Sequence, residues 1–259
     1  MIQAEFADRA KKILEAKDEV IGLAVGGSWL TNQLDEFSDL DLILVTKNKI
    51  STDRRAMLDI AAELGHLLVG FTGEHVGEPR VLICLFDDPL LHVDIKFLTL
   101  EEFRERVETP ALLLDKDGQL QSVINDTPSK FPRPDYQWIE DRFWVWVHYA
   151  LLKIGRGEYL EALDFFAFLR MTVFGPLLHI KNRNLPRGVR KVEADLSADD
   201  FLDLRKTIPD YDKQSLLDTL RHAVSLYRRL RTDIFGDGIL LRKEAEESVM
   251  RYFGEIERA

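Results

Sequence analysis

Hydrophobic and polar positions in the first half of the chain switch between helical and extended spacing. Apolar residues recur at helical spacing from about 3 to 17 and from about 53 to 65, which predicts two helices. The turn Asp87-Asp88-Pro89 separates two apolar runs, which we expect to form a hairpin. Short apolar runs predict strands at 20–25, 40–45, 80–86, 90–98 and 112–114.

Two short signals mark connections between these elements. Residues 28–33 follow a Gly-Gly turn and predict a short helix directly after the first strand. Thr99 and Glu102 match a capping box, in which each side chain bonds the backbone of the other residue. This match predicts the start of another short helix after the 90–98 strand.

The pattern changes at residue 128. Pro128, Pro132 and Pro134 interrupt regular structure and predict a linker. Beyond them only helical spacing recurs, with a break or kink expected at Gly175-Pro176. The predicted helices cover 138–154, 160–179, a short segment starting at Ser197, 213–234 and 239–256.

These elements predict an α+β protein of two domains. The first, residues 1–127, combines a mixed β-sheet with flanking helices, and the second, residues 135–259, is an all-α helical bundle. The length of 259 residues suits one large domain or two small ones. A hydrophobic content of 46% provides enough apolar side chains for a core.

Charge and cysteine content exclude several classes of protein. The formal net charge of −10 makes sequence-independent binding of nucleic acid an unfavourable hypothesis, because that binding depends on basic side chains. Cys84 is the only cysteine and lies in an apolar run, so we expect a buried structural thiol. The N-terminus lacks the apolar region of a signal peptide, and no apolar run approaches a membrane span. We therefore expect a cytoplasmic protein without a membrane partner.

Two carboxylates at the start of an apolar strand suggest chemistry. Asp39 and Asp41 are two residues apart, so they point to the same face of a strand and repel each other unless a cation lies between them. Mg²⁺ binds such oxygen ligands together with substrate phosphates. Asp94 occupies a similar apolar setting, and if its strand lies beside that of Asp41, three carboxylates converge. Such a set can hold two metal ions for phosphoryl transfer.

The Gly26-Gly27-Ser28 turn suits a phosphate. Glycine lets a backbone approach a phosphate closely, and the N-terminus of a following helix favours negative charge. The glycine turn, the paired carboxylates and Asp94 on a later strand together fit a site for metal and phosphate better than a purely structural turn.

These motifs resemble those of the DNA polymerase β-type nucleotidyltransferase superfamily. The resemblance rests on Gly-Gly-Ser at 26–28, Ser-Asp-Leu-Asp-Leu at 38–42 and Asp94. In size and two-part layout the chain is most similar to small bacterial nucleotidyltransferases that act on aminoglycosides or lincosamides. The motifs cover about residues 20–98, while the helical half matches only in general character.

The resemblance implies residue roles. Asp39 and Asp41 would bind metal, and Asp94 would be a third ligand or the base that deprotonates the attacking hydroxyl. Gly27 and Ser28 would hold the triphosphate of ATP or another nucleoside triphosphate. The first domain would be catalytic, and the helical domain would bind the acceptor.

Residues after Ser28 depart from the family pattern. Many relatives have a further glycine and a small or basic residue soon after the Gly-Ser pair, but here residues 29–46 contain neither a glycine nor a basic residue. Lys96 shares the strand face of Asp94 and is the candidate for triphosphate binding, with Lys153 and Arg156 as alternatives. His92 also shares that face and is a candidate site residue.

The base remains open between Asp94 and carboxylates of the helical domain. The alternatives are Glu140 or Asp141 on the first predicted helix of that domain, and Glu158 after it.

We expect a metal-dependent enzyme that moves a nucleoside monophosphate, with AMP as the first choice, to a hydroxyl of a small molecule. An aminoglycoside or lincosamide antibiotic is the candidate acceptor, which would make the protein an antibiotic-resistance enzyme. Two alternatives stay open: nucleotidylation of a protein or RNA, and nucleotide binding without turnover.

Overall fold

The computed structural model describes residues 1–31 and 33–258. The chain separates into two compact units, Met1–Phe131 and Pro132–Ala259. The first contains a β-sheet with flanking helices and the second is helical. The predicted α+β fold class is therefore confirmed.

The first unit is built on a six-stranded mixed sheet. Its strands lie in the order β3-β4-β5-β2-β1-β6, in which only β2 and β5 run parallel. The predicted hairpin is confirmed, because β4 and β5 pair as antiparallel neighbours. The strands are β1 (Val20–Val25), β2 (Leu40–Thr46), β3 (His66–Gly73), β4 (Glu78–Asp87), β5 (Leu91–Thr99) and β6 (Ala111–Asp115).

One face of this sheet is covered by two helices, α1 (Ile2–Glu15) and α2 (Arg54–Leu64). Their apolar faces pack on the alternate strand residues that point to the same side, including Leu42 and Ile95. Asp53 caps α2, accepting hydrogen bonds from the backbone N–H groups of Arg55 and Ala56. This core leaves the intervening side chains of β2 and β5 on the opposite face.

The opposite face is covered only in part. The short helix α3 (Gln119–Asp126) and the 3₁₀ helix Glu102–Arg104 pack over Val45 and Leu98 at the carboxyl ends of β2 and β5. The predicted capping box is present, since Thr99 Oγ1 accepts a hydrogen bond from the Glu102 N–H and Glu102 Oε2 accepts one from the Thr99 N–H. The amino ends of the two parallel strands remain accessible.

The second unit contains seven helices in the described part of the chain. They surround one apolar core whose largest side chains include Trp144, Phe143 and Tyr227. Ser197 caps α8 as predicted, accepting from the Asp200 N–H. The helices are α4 (Tyr136–Arg156), α5 (Tyr159–Leu169), α6 (Gly175–Lys181), α7 (Val192–Asp195), α8 (Ala198–Arg205), α9 (Lys213–Ile234) and α10 (Lys243–Arg258).

The run from Tyr159 to Lys181 corrects one expectation. An 18-residue window of this run has a mean hydropathy of 1.4. By length and composition alone, the run is long and apolar enough to cross a membrane. The prediction that no run approaches this length was therefore wrong. Half of the window is buried inside the protein, as in a core helix. A π-helical turn, Arg170–Phe174, interrupts the run just before the predicted break at Gly175-Pro176.

Other differences from the sequence predictions are small. The helix expected at 28–33 is a 3₁₀ helix, Gly27–Thr31, and Asn32 lies outside the described residues. The predictions omitted β3, an edge strand that has no regular alternation of buried and exposed positions. They also omitted two short helices, α3 and α7.

Candidate active site

Asp41 and Asp94 lie directly opposite each other on neighbouring strands. In the parallel pairing of β2 with β5, Asp41 is in register with Asp94, as Leu42 is with Ile95. The flanking leucine and isoleucine point into the core, so both carboxylates point to the accessible face. The sequence analysis made convergence depend on these two strands being neighbours, and the structure pairs them.

Asp39 precedes β2 and contributes charge to the same region. Burial raises the pKa of the Asp94 carboxyl group, and the negative charge of Asp39 adds to this rise. His92 partly offsets both effects, because its Nε2 lies 3.0 Å from Asp94 Oδ1. The arrangement concentrates negative charge where a cation would relieve it.

Gly27 fits against Asp41, and a side chain at this position would displace the Asp41 carboxylate. Its backbone has φ +61°, a conformation that favours glycine. A Cβ atom at Gly27 would overlap Asp41 Oδ2, so the carboxylate would have to shift. The neighbouring Gly26 N–H donates to the backbone carbonyl of Asp41 at 3.0 Å. The glycine turn and the strand carboxylate therefore form one site.

Glu108 also reaches this turn and was missed by the sequence analysis. Its Oε1 accepts a hydrogen bond from the Gly27 N–H at 2.9 Å. The same oxygen would lie 2.9 Å from a Cβ atom at Gly26. Glu108 follows a short helix in an irregular segment, so no periodic pattern marks it as a site residue.

The other two residues predicted to bind the triphosphate, Ser28 and Lys96, already contact other residues of the protein. Ser28 is half-buried in the 3₁₀ helix after the turn, and its carbonyl accepts from the Gln33 N–H. Lys96 is on the same face of β5 as Asp94, but its Nζ lies 2.8 Å from Glu78 Oε2. Arg80 contacts the same carboxylate at 2.7 Å. Lys96 is therefore ion-paired within the sheet.

Gln3 supports the loop that leads to Asp39, and sequence analysis did not single it out. The side chain is 1% exposed. Its Nε2 donates to the carbonyls of Asp35 and Ser38 at 2.9 and 2.8 Å. The sequence signal for Gln3 was its position on the apolar face of a predicted helix. A buried side-chain amide needs hydrogen-bond partners, so it points to a structural contact.

The donor set suits a hard cation that also binds phosphate. In the part of the chain that is described, no three His, Cys, Asp or Glu side chains are placed to hold one metal ion together. Asp41 and Asp94 nevertheless provide adjacent carboxylates, and Mg²⁺ commonly takes one or two carboxylates with substrate phosphates. The residues therefore fit Mg²⁺ when a nucleotide completes the coordination.

Carboxylates of the helical unit are engaged in its own structure. Glu140 is fully buried and accepts hydrogen bonds from the Tyr227 hydroxyl at 2.5 Å and the Arg242 N–H at 2.9 Å. Its burial argues against the alternative that it acts as the base. Asp141 pairs with Arg242 at 2.6 Å, and Glu158 pairs with Lys153 at 2.9 Å.

Lys153 and Arg156, the alternative triphosphate ligands, are also ion-paired. Lys153 contacts Glu161 as well as Glu158, and Arg156 lies 4.0 Å from Glu158. Ion pairing therefore does not distinguish these two residues from Lys96, which lies on the same strand face as Asp94.

Cys84 is a buried thiol, as predicted. Burial raises its pKa to about 12, and the charge of Asp94 contributes to the rise. The thiol therefore stays protonated at neutral pH and is a poor nucleophile.

The mixed sheet, the glycine turn and the paired carboxylates are the features expected from the resemblance to nucleotidyltransferases. Residues 7–116 match the family model described as a nucleotidyltransferase domain. The match confirms the predicted superfamily and enzyme class, and it lies within the first unit. A search of curated proteins gave no significant match.

Three solved structures are similar along nearly the whole chain. An aminoglycoside 6-adenyltransferase from Bacillus subtilis has 18% identity and a TM-score of 0.44, with 99% of each chain covered. A nucleotidyltransferase-like protein from Exiguobacterium sibiricum has 12% identity and a TM-score of 0.36, covering 97% of this chain and 80% of that chain. Spectinomycin adenyltransferase AAD(9) from Enterococcus faecialis, solved with ATP and spectinomycin, has 11% identity and a TM-score of 0.32, covering 98% and 99%.

Proposed function

We propose that the protein transfers a nucleoside monophosphate from a nucleoside triphosphate to a hydroxyl group of a small molecule, in a reaction that needs Mg²⁺. The observation that carries the proposal is the pairing of Asp41 with Asp94 beside the Gly27 turn, within a nucleotidyltransferase domain. The first unit would be catalytic, and the helical unit would bind the acceptor.

Asp39 and Asp41 would bind the metal, and Asp94 would be a third ligand or the base. The raised pKa of Asp94 supports both roles, because burial and the nearby Asp39 charge increase its affinity for a proton or a cation. A bound Mg²⁺ would neutralise phosphate charge and stabilise the attacking oxygen. Gly27, Ser28 and Lys96 would hold the triphosphate.

In the proposed reaction, the acceptor oxygen forms a bond to the α-phosphorus. The bond between this phosphorus and the oxygen bridging to the β-phosphate breaks, and pyrophosphate leaves with that oxygen. The acceptor loses its hydroxyl proton, which Asp94 would receive if it is the base. AMP from ATP is the first choice of transferred group, and aminoglycosides and lincosamides are the first acceptors to test.

A screen for turnover tests the proposal. Each of the four nucleoside triphosphates is incubated with Mg²⁺ and pools of hydroxylated acceptors, including both antibiotic classes. Pyrophosphate release and the mass of the product are measured. A product that carries nucleotide on a protein or RNA would favour the alternative acceptors, and nucleotide binding without any product would favour a binding protein.

Three variants and one control variant test the residue assignments. Asp94→Asn keeps the shape of the side chain and should lower turnover by at least ~10²-fold with triphosphate binding retained. Asp41→Asn should weaken metal-dependent binding of the triphosphate in calorimetry. Asp59→Asn removes an exposed carboxylate of the same unit and should change neither quantity. Unchanged binding in Asp41→Asn and Asp39→Asn would remove these residues from the site.

A further inference from the structure

Glu108 occupies the glycine turn of the candidate site. Its Oε1 accepts from the Gly27 N–H at 2.9 Å and lies 2.9 Å from the position of a Cβ atom at Gly26. The half-buried carboxylate comes from the irregular segment 105–110, which precedes β6. An acidic side chain therefore lies against both glycines of the turn.

A triphosphate and this carboxylate would compete for the same donor. One backbone N–H group makes one strong hydrogen bond, and like charges at close range repel. We propose that Glu108 is an internal anion that closes the glycine turn in the absence of nucleotide and is displaced when the triphosphate binds. The inference rests on the proposed function, which assigns the turn to the triphosphate.

A second donor of the site is occupied in the same way. Lys96 Nζ is 2.8 Å from Glu78 Oε2, so the cation assigned to the triphosphate is paired with an internal carboxylate. Two separate glutamates thus bind the two kinds of hydrogen-bond donor that we assign to the triphosphate, a backbone N–H and an ammonium group. Glu108 is the more direct competitor, because it contacts the turn itself.

The Glu108 segment is tied to the residues that lead to the helical unit. Arg106 donates to the Thr127 hydroxyl at 2.7 Å and to the Ile124 carbonyl at 3.2 Å. The Arg106 carbonyl accepts from the Lys130 N–H at 2.9 Å, and Thr109 Oγ1 lies 3.4 Å from Ser129 Oγ. We expect the backbone of segment 105–110 to move with Glu108, and this movement would loosen residues 127–130.

Glu108→Gln tests the displacement without removing a hydrogen-bond acceptor from the turn. Calorimetry with each nucleoside triphosphate and Mg²⁺ should show a Kd about tenfold lower than in the wild-type protein, because one competing negative charge is removed. Glu105→Gln removes an exposed charge from the same segment and should leave the Kd within about twofold of wild type. Equal or weaker binding by Glu108→Gln would show that Glu108 only braces the turn, and would overturn the inference.

Hydrogen exchange of the wild-type chain is a second test that needs no variant. Binding of the triphosphate with Mg²⁺ should speed exchange of the Lys130 amide, whose hydrogen bond to Arg106 ties the two segments together. Unchanged or slower exchange at saturating nucleotide would contradict release of the segment. If the wild-type protein binds no triphosphate, the proposed function fails; if it binds but neither effect occurs, only the present inference fails.

Discussion

At the scale of single residues, the candidate site depends on what a glycine leaves out. Gly27 lacks the Cβ atom that would collide with Asp41, and its positive φ turns the backbone N–H towards Glu108. The Asp41 carboxylate therefore keeps its observed position only beside a residue without a side chain. The Gly26-Gly27-Ser28 turn is part of the candidate site because it packs against Asp41 on the next strand.

Gly27→Ala should abolish most turnover. The new Cβ atom would push Asp41 out of position, and misplacement of a reacting group by about 1 Å can cost ~10²-fold in rate. Gly118→Ala is the matched control, because Gly118 also has a positive φ of 68° but has no other atom within 4 Å of the added Cβ. Both variants carry a backbone cost of about 1–2 kcal/mol, so an equal loss of turnover in both would refute the specific role of Gly27.

At the scale of elements, the parallel pairing of β2 with β5 assembles the site and the β4–β5 hairpin supports its edge. Glu78 at the start of β4 binds Arg80 on its own strand and Lys96 on β5. These contacts, the Arg80 hydrogen bond first, lower the pKa of Glu78 from 4.5 to about 2. The hairpin is therefore stabilised by an ionised carboxylate.

The stability of this hairpin should depend on acid pH. Because the folded-state pKa of Glu78 lies below its unfolded value, the stabilisation is complete above about pH 4.5 and is lost as the pH falls towards 2. Glu78→Gln should lower the free energy of unfolding by about 1–2 kcal/mol at pH 7, allowing for partial exposure. Urea titrations should show this difference shrinking below pH 4.5.

Glu15→Gln, which removes an exposed carboxylate at the end of α1, serves as the control. We expect its free energy of unfolding to stay within about 0.5 kcal/mol of wild type across the same range. If the difference in the free energy of unfolding between Glu78→Gln and wild type stayed constant from pH 7 to pH 3, the ionised pair would not be its cause.

At the scale of the whole molecule, two units each have a core of their own. The sheet and its helices bury one set of apolar side chains, and the helical unit buries another around Trp144 and Tyr227. Within the helical unit, Glu140 joins α4 to α9 and to the segment before α10 through Tyr227, Arg231 and Arg242. Burial raises the pKa of the Tyr227 hydroxyl, which stays protonated and donates to this carboxylate.

Glu140→Ala should destabilise the helical unit selectively. Removing Glu140 leaves the buried Tyr227 hydroxyl and the Arg242 N–H without their acceptor and leaves Arg231 with Glu246 as its remaining ion-pair partner. Unsatisfied buried donors of this kind cost about 1–3 kcal/mol each. Three of the four tryptophans lie in this unit, so tryptophan fluorescence during urea unfolding reports its stability. Triphosphate binding to the first unit should keep its wild-type Kd under conditions where the variant is folded.

Asp141→Ala is the neighbouring control. Asp141 pairs with Arg242 near the surface, where an ion pair contributes about 0–1 kcal/mol. A loss in Glu140→Ala no larger than that of Asp141→Ala would contradict a structural role for the buried carboxylate. A changed Kd for the triphosphate would contradict independence of the two units.

The sequence by itself determined the periodic elements and the local motifs of this protein. Most helices and strands lie within a few residues of their predicted positions, because the spacing of apolar residues depends only on the local chain geometry. The switch from a mixed α/β pattern to an all-helical one was readable at the proline cluster for the same reason. The glycine turn and the Asp39–Asp41 pair were visible as short motifs.

Only the tertiary structure decided how distant residues meet. The register that places Asp41 beside Asp94, the burial of Glu140 and the contact of Glu108 with Gly27 each join residues far apart in the chain. The edge strand β3 likewise depends on pairing with β4, since its own residues alternate poorly. Such contacts arise from packing and hydrogen bonding between elements, which no local spacing of residues specifies.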